Sequence, residues 1–193
     1  MLRNFMMLAV ALTPAALVAQ SVQAKGQAQT SANVAAGENS LKSETSVEAE
    51  IAVARRKQLP EEPIRRRVAE GRAKGASEAQ LALAASRVRA NLEAAHEAMV
   101  RAGRSQPSDE EVDRGAGAIE RGYTKAEIEA VVKAAPSDRS LVTAFDVLTR
   151  LAARGVTTGK ALAQVRSRLE ARATDTQLDA LVNANASGRA AVG

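Results

Sequence analysis

His96 is the only histidine in this sequence of 193 residues, and cysteine is absent. A metal site needs several such ligands, and a catalytic triad needs a serine or cysteine presented beside the histidine. The chain has no second histidine and no Gly-x-Ser-x-Gly turn. We therefore expect no catalytic residue, no metal site and no enzymatic activity, and we interpret His96 as a boundary residue of a long helix.

Two acidic groups have the composition of an acid/base pair: Glu61-Glu62 and the run at 109–111. A catalytic pair needs an apolar pocket that raises one pKa, and aromatic residues make up only 2% of the chain. Both groups stand at predicted helix starts, where the helix dipole stabilises negative charge. We interpret them as helix caps. The glycines at 115 and 117 follow no strand, so we also expect no nucleotide cofactor.

The densest basic cluster is Arg65, Arg66 and Arg67, in a chain of net charge +5. Glu61 and Glu62 precede Arg65 and Arg66 by four residues, so ion pairs on one helix surface are expected to neutralise part of the cluster. The alternative is contact of this cluster with an anionic polymer or a lipid headgroup. The three arginines are therefore candidate partner contacts.

Tyr123 is the only tyrosine, and it falls in a predicted turn between two helices. Tyrosine is enriched in binding hot spots, so an exposed Tyr123 is a candidate partner contact. The alternative is that its ring packs over the helix joint. Single-stranded nucleic-acid binders need several aromatic platforms, which this composition does not provide.

The elements that position these residues are helical. Apolar residues recur at helical spacing between Leu59 and Ala184, without alternating strand patterns. The pattern predicts an all-α domain, an irregular bundle or short superhelix of about seven helices built from degenerate helix-turn-helix pairs, with no strands. The expected helices are 60–73, 78–101, 109–121, 125–135, 138–154, 158–171 and 175–184.

Short connections of one design join several of these helices. Each has a glycine suited to a left-handed helix end, one extended residue, and a serine or threonine that caps the next helix. The structural residues of these joints are Gly75 and Ser77, Gly122 and Thr124, and Gly155 and Thr157. Capping boxes are expected where a Gln or Glu follows three residues after Ser77, Ser108, Thr124 and Thr174. A fourth joint, at 172–174, lacks the glycine and is expected to be the least well formed.

Residues 120–132 resemble the turn of a DNA-reading helix-turn-helix. The charges on the second helix cancel, however, and the same turn occurs three times. Repetition favours a structural device over a recognition element. The glycines are separated by 47 and then 33 residues, which does not predict a solenoid of fixed period.

The first 24 residues have a single charge, an apolar stretch and a small-residue cleavage motif ending at Ala24. This pattern predicts a signal peptide at 1–24 and an exported protein, periplasmic or secreted, of a composition typical of bacteria. Residues 25–58 are polar and predict a disordered linker, with a short frayed helix from Val47 to Lys57 as an option. The helical domain is expected at 59–184 and a flexible tail at 185–193.

These features together favour an exported, non-enzymatic helical interaction or scaffold protein that binds a protein or a cell-envelope component. The alternative is binding of nucleic acid or another polyanion through the helix-turn-helix-like joints and Arg65–Arg67. No stable membrane span is expected after cleavage of the signal peptide.

Overall fold

The computed structural model describes the backbone of residues 46–190 and the side chains of residues 46–185, and its regular structure is entirely α-helical. The helices are α1 (46–56), α2 (Glu62–Ala73), α3 (Glu78–Arg101), α4 (Asp109–Glu120), α5 (Lys125–Ala134), α6 (Val142–Ala153), α7 (Thr158–Glu170) and α8 (Asp175–Ala190). The predicted all-α class is confirmed within this range. The predicted signal peptide, residues 25–45 of the predicted linker and residues 191–193 lie outside the described residues.

The helical domain begins earlier and continues further than the sequence indicated. Residues 46–58 were assigned to the linker, but they form α1 and its terminal turn, with Val47, Ile51 and Ala54 buried. Three apolar residues at helical spacing are enough to anchor this otherwise polar segment to the core. At the other end, α8 continues to Ala190 rather than stopping at residue 184. No helix among residues 46–190 is long and apolar enough to cross a membrane.

The helix starts follow the predicted capping chemistry with two exceptions. Capping boxes form at Ser77, Ser108 and Thr124, and at Thr174 the backbone and side chain exchange hydrogen bonds with Gln177. α6 begins at Val142 rather than 138, because residues 136–141 form the turn that precedes it. Thr157 occupies the N-cap of α7, but its side chain makes no capping hydrogen bond.

Six helix ends share one left-handed geometry. The left-handed residues are Gln58 (φ 55°), Gly75 (74°), Gly103 (101°), Gly122 (98°), Gly155 (77°) and Arg172 (54°). After each one, the next amide donates to the carbonyl five residues earlier at 2.9–3.2 Å. The joint at 172–174 therefore has the same hydrogen bonds as the glycine joints. The sequence expectation that it would be poorly formed is corrected, because Arg172 itself adopts the conformation that glycine adopts elsewhere.

The helices form two layers. In one layer α4 packs against α6 and α6 against α8; in the other α3 packs against α5 and α5 against α7. α1 joins the second layer through the Arg89–Glu50 and Lys57–Glu93 ion pairs with α3. Phe145 and the other fully buried side chains fill the space between the layers. The domain is therefore a stack of helix pairs around one continuous core.

A 33-residue period lies under this stack, which the glycine spacings alone concealed. Gly122 and Gly155 are 33 residues apart, and so are Asp113, Asp146 and Asp179. The earlier glycine spacing of 47 exceeds this period by 14 residues, which is the difference in length between α3 (24 residues) and α5 (10 residues). Fourteen residues make about four helical turns, so the insertion keeps the buried face of α3 in phase.

Candidate functional site

A groove opens between α2 and α4, with α3 as its floor. It consists of two adjoining compartments of about 190 and 460 Å³, which share Arg67, Val88, Asn91 and Glu120. We call it the α2–α4 groove. The first compartment extends over α4 to α6, and the second follows α3. Its other lining residues are Pro63, Arg66, Glu70, Asp113, Arg114, Ala116, Gly117, Asp146 and Thr149 in the first compartment, and Ala84, Arg87, Ala90 and Ile119 in the second.

The floor of the groove is the inserted part of α3. Aligning α3 with α5 at the 33-residue period places the 14 extra residues at 78–91. Every residue that α3 contributes to the groove, from Ala84 to Asn91, lies in this insertion. α4 packs directly against α6, and α6 against α8, whereas α2 is joined to α4 mainly by ion pairs. The insertion therefore accounts for the gap between α2 and α4.

Two ion pairs cross the groove. Arg66 contacts Asp113 at 3.1 Å, and Arg67 contacts Glu120 at 2.7 Å. The expected pair of Arg66 with Glu62 does not form. These side chains are between 27% and 53% exposed, so each pair contributes only about 0–1 kcal/mol to stability. A ligand can therefore exchange with them at small cost.

Arg65, the third member of the predicted cluster, points away from the groove. It pairs with Glu61 at 3.0 Å, as the four-residue spacing predicted, and Glu61 also accepts from Arg55. All three arginines of the cluster are thus neutralised by carboxylates. The structure places Arg66 and Arg67 together in the groove wall and separates Arg65 from them.

The groove also holds polar groups that the fold leaves unused. Glu70 lines the first compartment, Arg87 lines the second, and Asn91 lies half-buried on the shared floor. None of the three forms an ion pair or a side-chain hydrogen bond with the part of the chain that the structure describes. Four arginines and four carboxylates line the groove in total, so its formal charge is zero. Sequence reasoning missed these three residues because only the period reveals the insertion that carries two of them.

Two helical glycines of α4 differ in what surrounds them. A Cβ on Gly115 would lie 2.5 Å from Met99 Cε and 3.3 Å from Ala95 Cβ, so this glycine allows α3 and α4 to approach closely. A Cβ on Gly117 would meet no atom within 4 Å. A glycine inside a helix costs about 1 kcal/mol relative to alanine. Packing therefore explains Gly115 and does not explain Gly117, which faces the groove.

Tyr123 is buried, with a relative exposure of 2%. Its hydroxyl donates to the carbonyl of Leu148 at 3.2 Å. Burial, with a smaller contribution from the charge of Glu127, raises the pKa of Tyr123 to about 12. The ring follows the left-handed Gly122 and packs over the joint, so Tyr123 is not available as a partner contact.

The other residues with chemical potential are not assembled into a site. His96 is half-buried on α3, and residues 46–190 contain no group of three histidine or acidic side chains that could hold a metal. The acidic residues at 109–111 occupy the first turn of α4, as expected for a helix start.

Glu111 is the one buried charged side chain among the described residues, with 5% exposure. It accepts from the amides of Ser108 at 3.0 Å and Leu141 at 2.9 Å, and from the guanidinium of Arg104. Burial raises its pKa, but these hydrogen bonds and the charge of Arg104 outweigh burial and lower the pKa below its usual range. Arg104 also donates to the carbonyls of Ser137 and Arg139. This network joins the α3–α4 connection to the start of α6, so its role is structural.

Comparison of the chain with family models, with curated proteins and with solved structures returns no match. The function of this chain must therefore be inferred from its own geometry, and the α2–α4 groove is the feature that the helix packing does not require.

Proposed function

We propose that this protein is an exported, non-enzymatic helical scaffold that binds a protein partner in the α2–α4 groove. The observation that carries the proposal is the insertion at 78–91, which interrupts the 33-residue period and supplies the floor of the groove. Repeat proteins bind partners along surfaces formed by successive helices. An insertion that separates two such helices creates a binding surface while the rest of the stack keeps its packing.

Binding of nucleic acid or another polyanion is the weaker alternative. Arg65, Arg66 and Arg67 are each paired with a carboxylate, and the groove has no net charge. A polyanion site derives its affinity from uncompensated cations. The geometry therefore favours a partner that carries both signs of charge.

Site-specific crosslinking tests the proposal. A photoreactive amino acid replaces Arg87 in the groove or, as the matched control, Arg168, an exposed arginine of α7 outside the groove. Irradiation of cells that produce each variant should yield a discrete protein adduct from position 87 and none from position 168. Equal adduct patterns from the two positions would refute the assignment of the groove.

Export rests on the N-terminal charge, the apolar stretch and the motif before Lys25. Mass spectrometry of the protein isolated from outside the cytoplasm should show a mature chain that begins at Lys25. An intact N-terminus on exported protein would contradict cleavage at this position.

A further inference from the structure

We infer that the groove ligand is an extended polypeptide segment that carries an acidic side chain toward one end and a basic side chain toward the other. This inference rests on the proposed binding function and specifies the substrate class of the same groove. It follows from three groups that the fold leaves unused, and from their order along the groove.

Asn91 is suited to the recognition of a peptide backbone. Its side-chain amide has a donor and an acceptor that match the N–H and C=O groups of an extended chain. It lies half-buried on the floor shared by both compartments, so a backbone lying in the groove crosses it. Gly117, on the α4 wall of the first compartment, has no atom within 4 Å of the place of a side chain, which leaves room for a main chain.

The two unpaired charges give the ligand a direction. Glu70 lines only the first compartment and Arg87 only the second, and Asn91 lines both. A basic ligand side chain pairs with Glu70, and an acidic one pairs with Arg87. The zero formal charge of the lining excludes a strong preference for either a polyanion or a polycation.

The ion pair between Arg67 and Glu120 bridges the groove where the compartments meet. Both side chains are about half exposed, at 42% and 52%, so water already competes for this pair. Ligand polar groups can replace the two partners one for the other. The bridge is thus compatible with a chain that passes from one compartment to the next.

Selection of random peptides displayed on phage tests the charge order. The full mature chain is used as wild type, Arg87→Glu and Glu70→Lys. The matched controls are Arg168→Glu and Glu62→Lys, which reverse exposed charges outside the groove. Wild type and both controls should enrich peptides with one acidic and one basic residue at a fixed separation. Arg87→Glu should replace the enriched acidic residue by a basic one, and Glu70→Lys should do the converse.

The enriched peptide, made synthetically, then tests the backbone contact. Asn91→Leu keeps the side-chain volume and removes the amide, and it should weaken peptide binding by about tenfold. Circular dichroism of this variant checks that its helical content is unchanged. Unaltered affinity in a folded Asn91→Leu, or enriched sequences that ignore the charge reversals, would overturn the inference. If position 87 still crosslinks to a protein in that case, the scaffold function stands and only the ligand class is wrong.

Discussion

Tyr123 shows how one turn residue serves packing rather than recognition. Since it is the only tyrosine and tryptophan is absent, its ionisation can be followed without interference. Its pKa is about 12 in the folded chain against the model value of 10.0. The folded state therefore holds the proton more tightly. The stability that follows is complete below pH 10.0 and is lost as the pH rises through about 12.

An absorbance titration of the phenolate should accordingly give a midpoint near 12 in the folded protein. Tyr123→Phe should remove this part of the alkaline loss of stability, while costing about 1 kcal/mol at neutral pH through the missing hydrogen bond to Leu148. A midpoint near 10.0 while the far-ultraviolet helical signal persists would mean that the ring is exposed.

Gly115 and Gly117 make a second prediction at the residue scale. Gly117→Ala should stabilise the domain by up to about 1 kcal/mol, because the new methyl meets no atom and the helix propensity improves. Gly115→Ala should be less stable than Gly117→Ala by about 1–3 kcal/mol, because its methyl overlaps Met99 and crowds Ala95. Urea unfolding of the two variants measures the difference. Equal midpoints would contradict the close approach of α3 and α4 at Gly115.

At the scale of the helix, the left-handed joints predict substitutions of opposite sign. Gly122→Val should destabilise the domain by more than 1 kcal/mol, since φ is 98° there and a β-branched residue is strained. Thr124→Ala should cost about 1 kcal/mol by removing the cap, and the two effects need not add. Arg172→Gly should stabilise by up to about 1 kcal/mol, because it relieves a left-handed arginine. Thermal melts test all three, and a wild-type melting temperature for Gly122→Val would show that the joint is not strained.

The connection between α3, α4 and α6 predicts an acid limit. Because the folded pKa of Glu111 is lowered, its contribution to stability is present above the model value of 4.5 and is lost as the pH falls below it. Glu111→Ala should cost roughly 3–5 kcal/mol near neutral pH, since it leaves Arg104 and the amide of Leu141 without their acceptor. It should also flatten the decline of stability in acid.

The matched control is Glu110→Ala, which removes a 62% exposed carboxylate at 3.8 Å from Arg114. Such a pair contributes at most about 0.5 kcal/mol. Denaturant titrations over a range of pH values compare the two variants. Equal losses for Glu110→Ala and Glu111→Ala would contradict the structural role of the Glu111 network.

At the scale of the whole molecule, local chemistry made the helices predictable and the groove unpredictable. Caps such as Ser108 and joints such as Gly122 act within a few residues, so the sequence pattern indicates helix type and most boundaries. α1 escaped this reasoning because only tertiary burial of Ile51 distinguishes it from a polar linker. The groove depends on contacts such as Arg66 with Asp113, 47 residues apart, for which a single sequence has no local signal. Its one available signal was the 33-residue spacing of Asp113, Asp146 and Asp179.

The ends of the stack bear on its assembly. The exposed residues of α1 are mostly charged, and those of α8 up to residue 185 are polar or alanine. Terminal helices with polar outer faces cap repeat proteins and prevent end-to-end growth. The groove, rather than either end of the stack, is therefore the surface through which we expect this molecule to bind its partner.

The most direct test of this account compares Gly117→Leu with Gly159→Leu. A Cβ at either glycine meets no atom within 4 Å, and both lie in helices, but only Gly117 lines the groove. The measurement is the dissociation constant of each variant for the protein captured by the crosslinker at position 87. We predict that Gly117→Leu weakens binding by at least about tenfold, or 1.4 kcal/mol, and that Gly159→Leu binds as wild type does. Equal affinities for the two variants would contradict the assignment of the α2–α4 groove as the binding site.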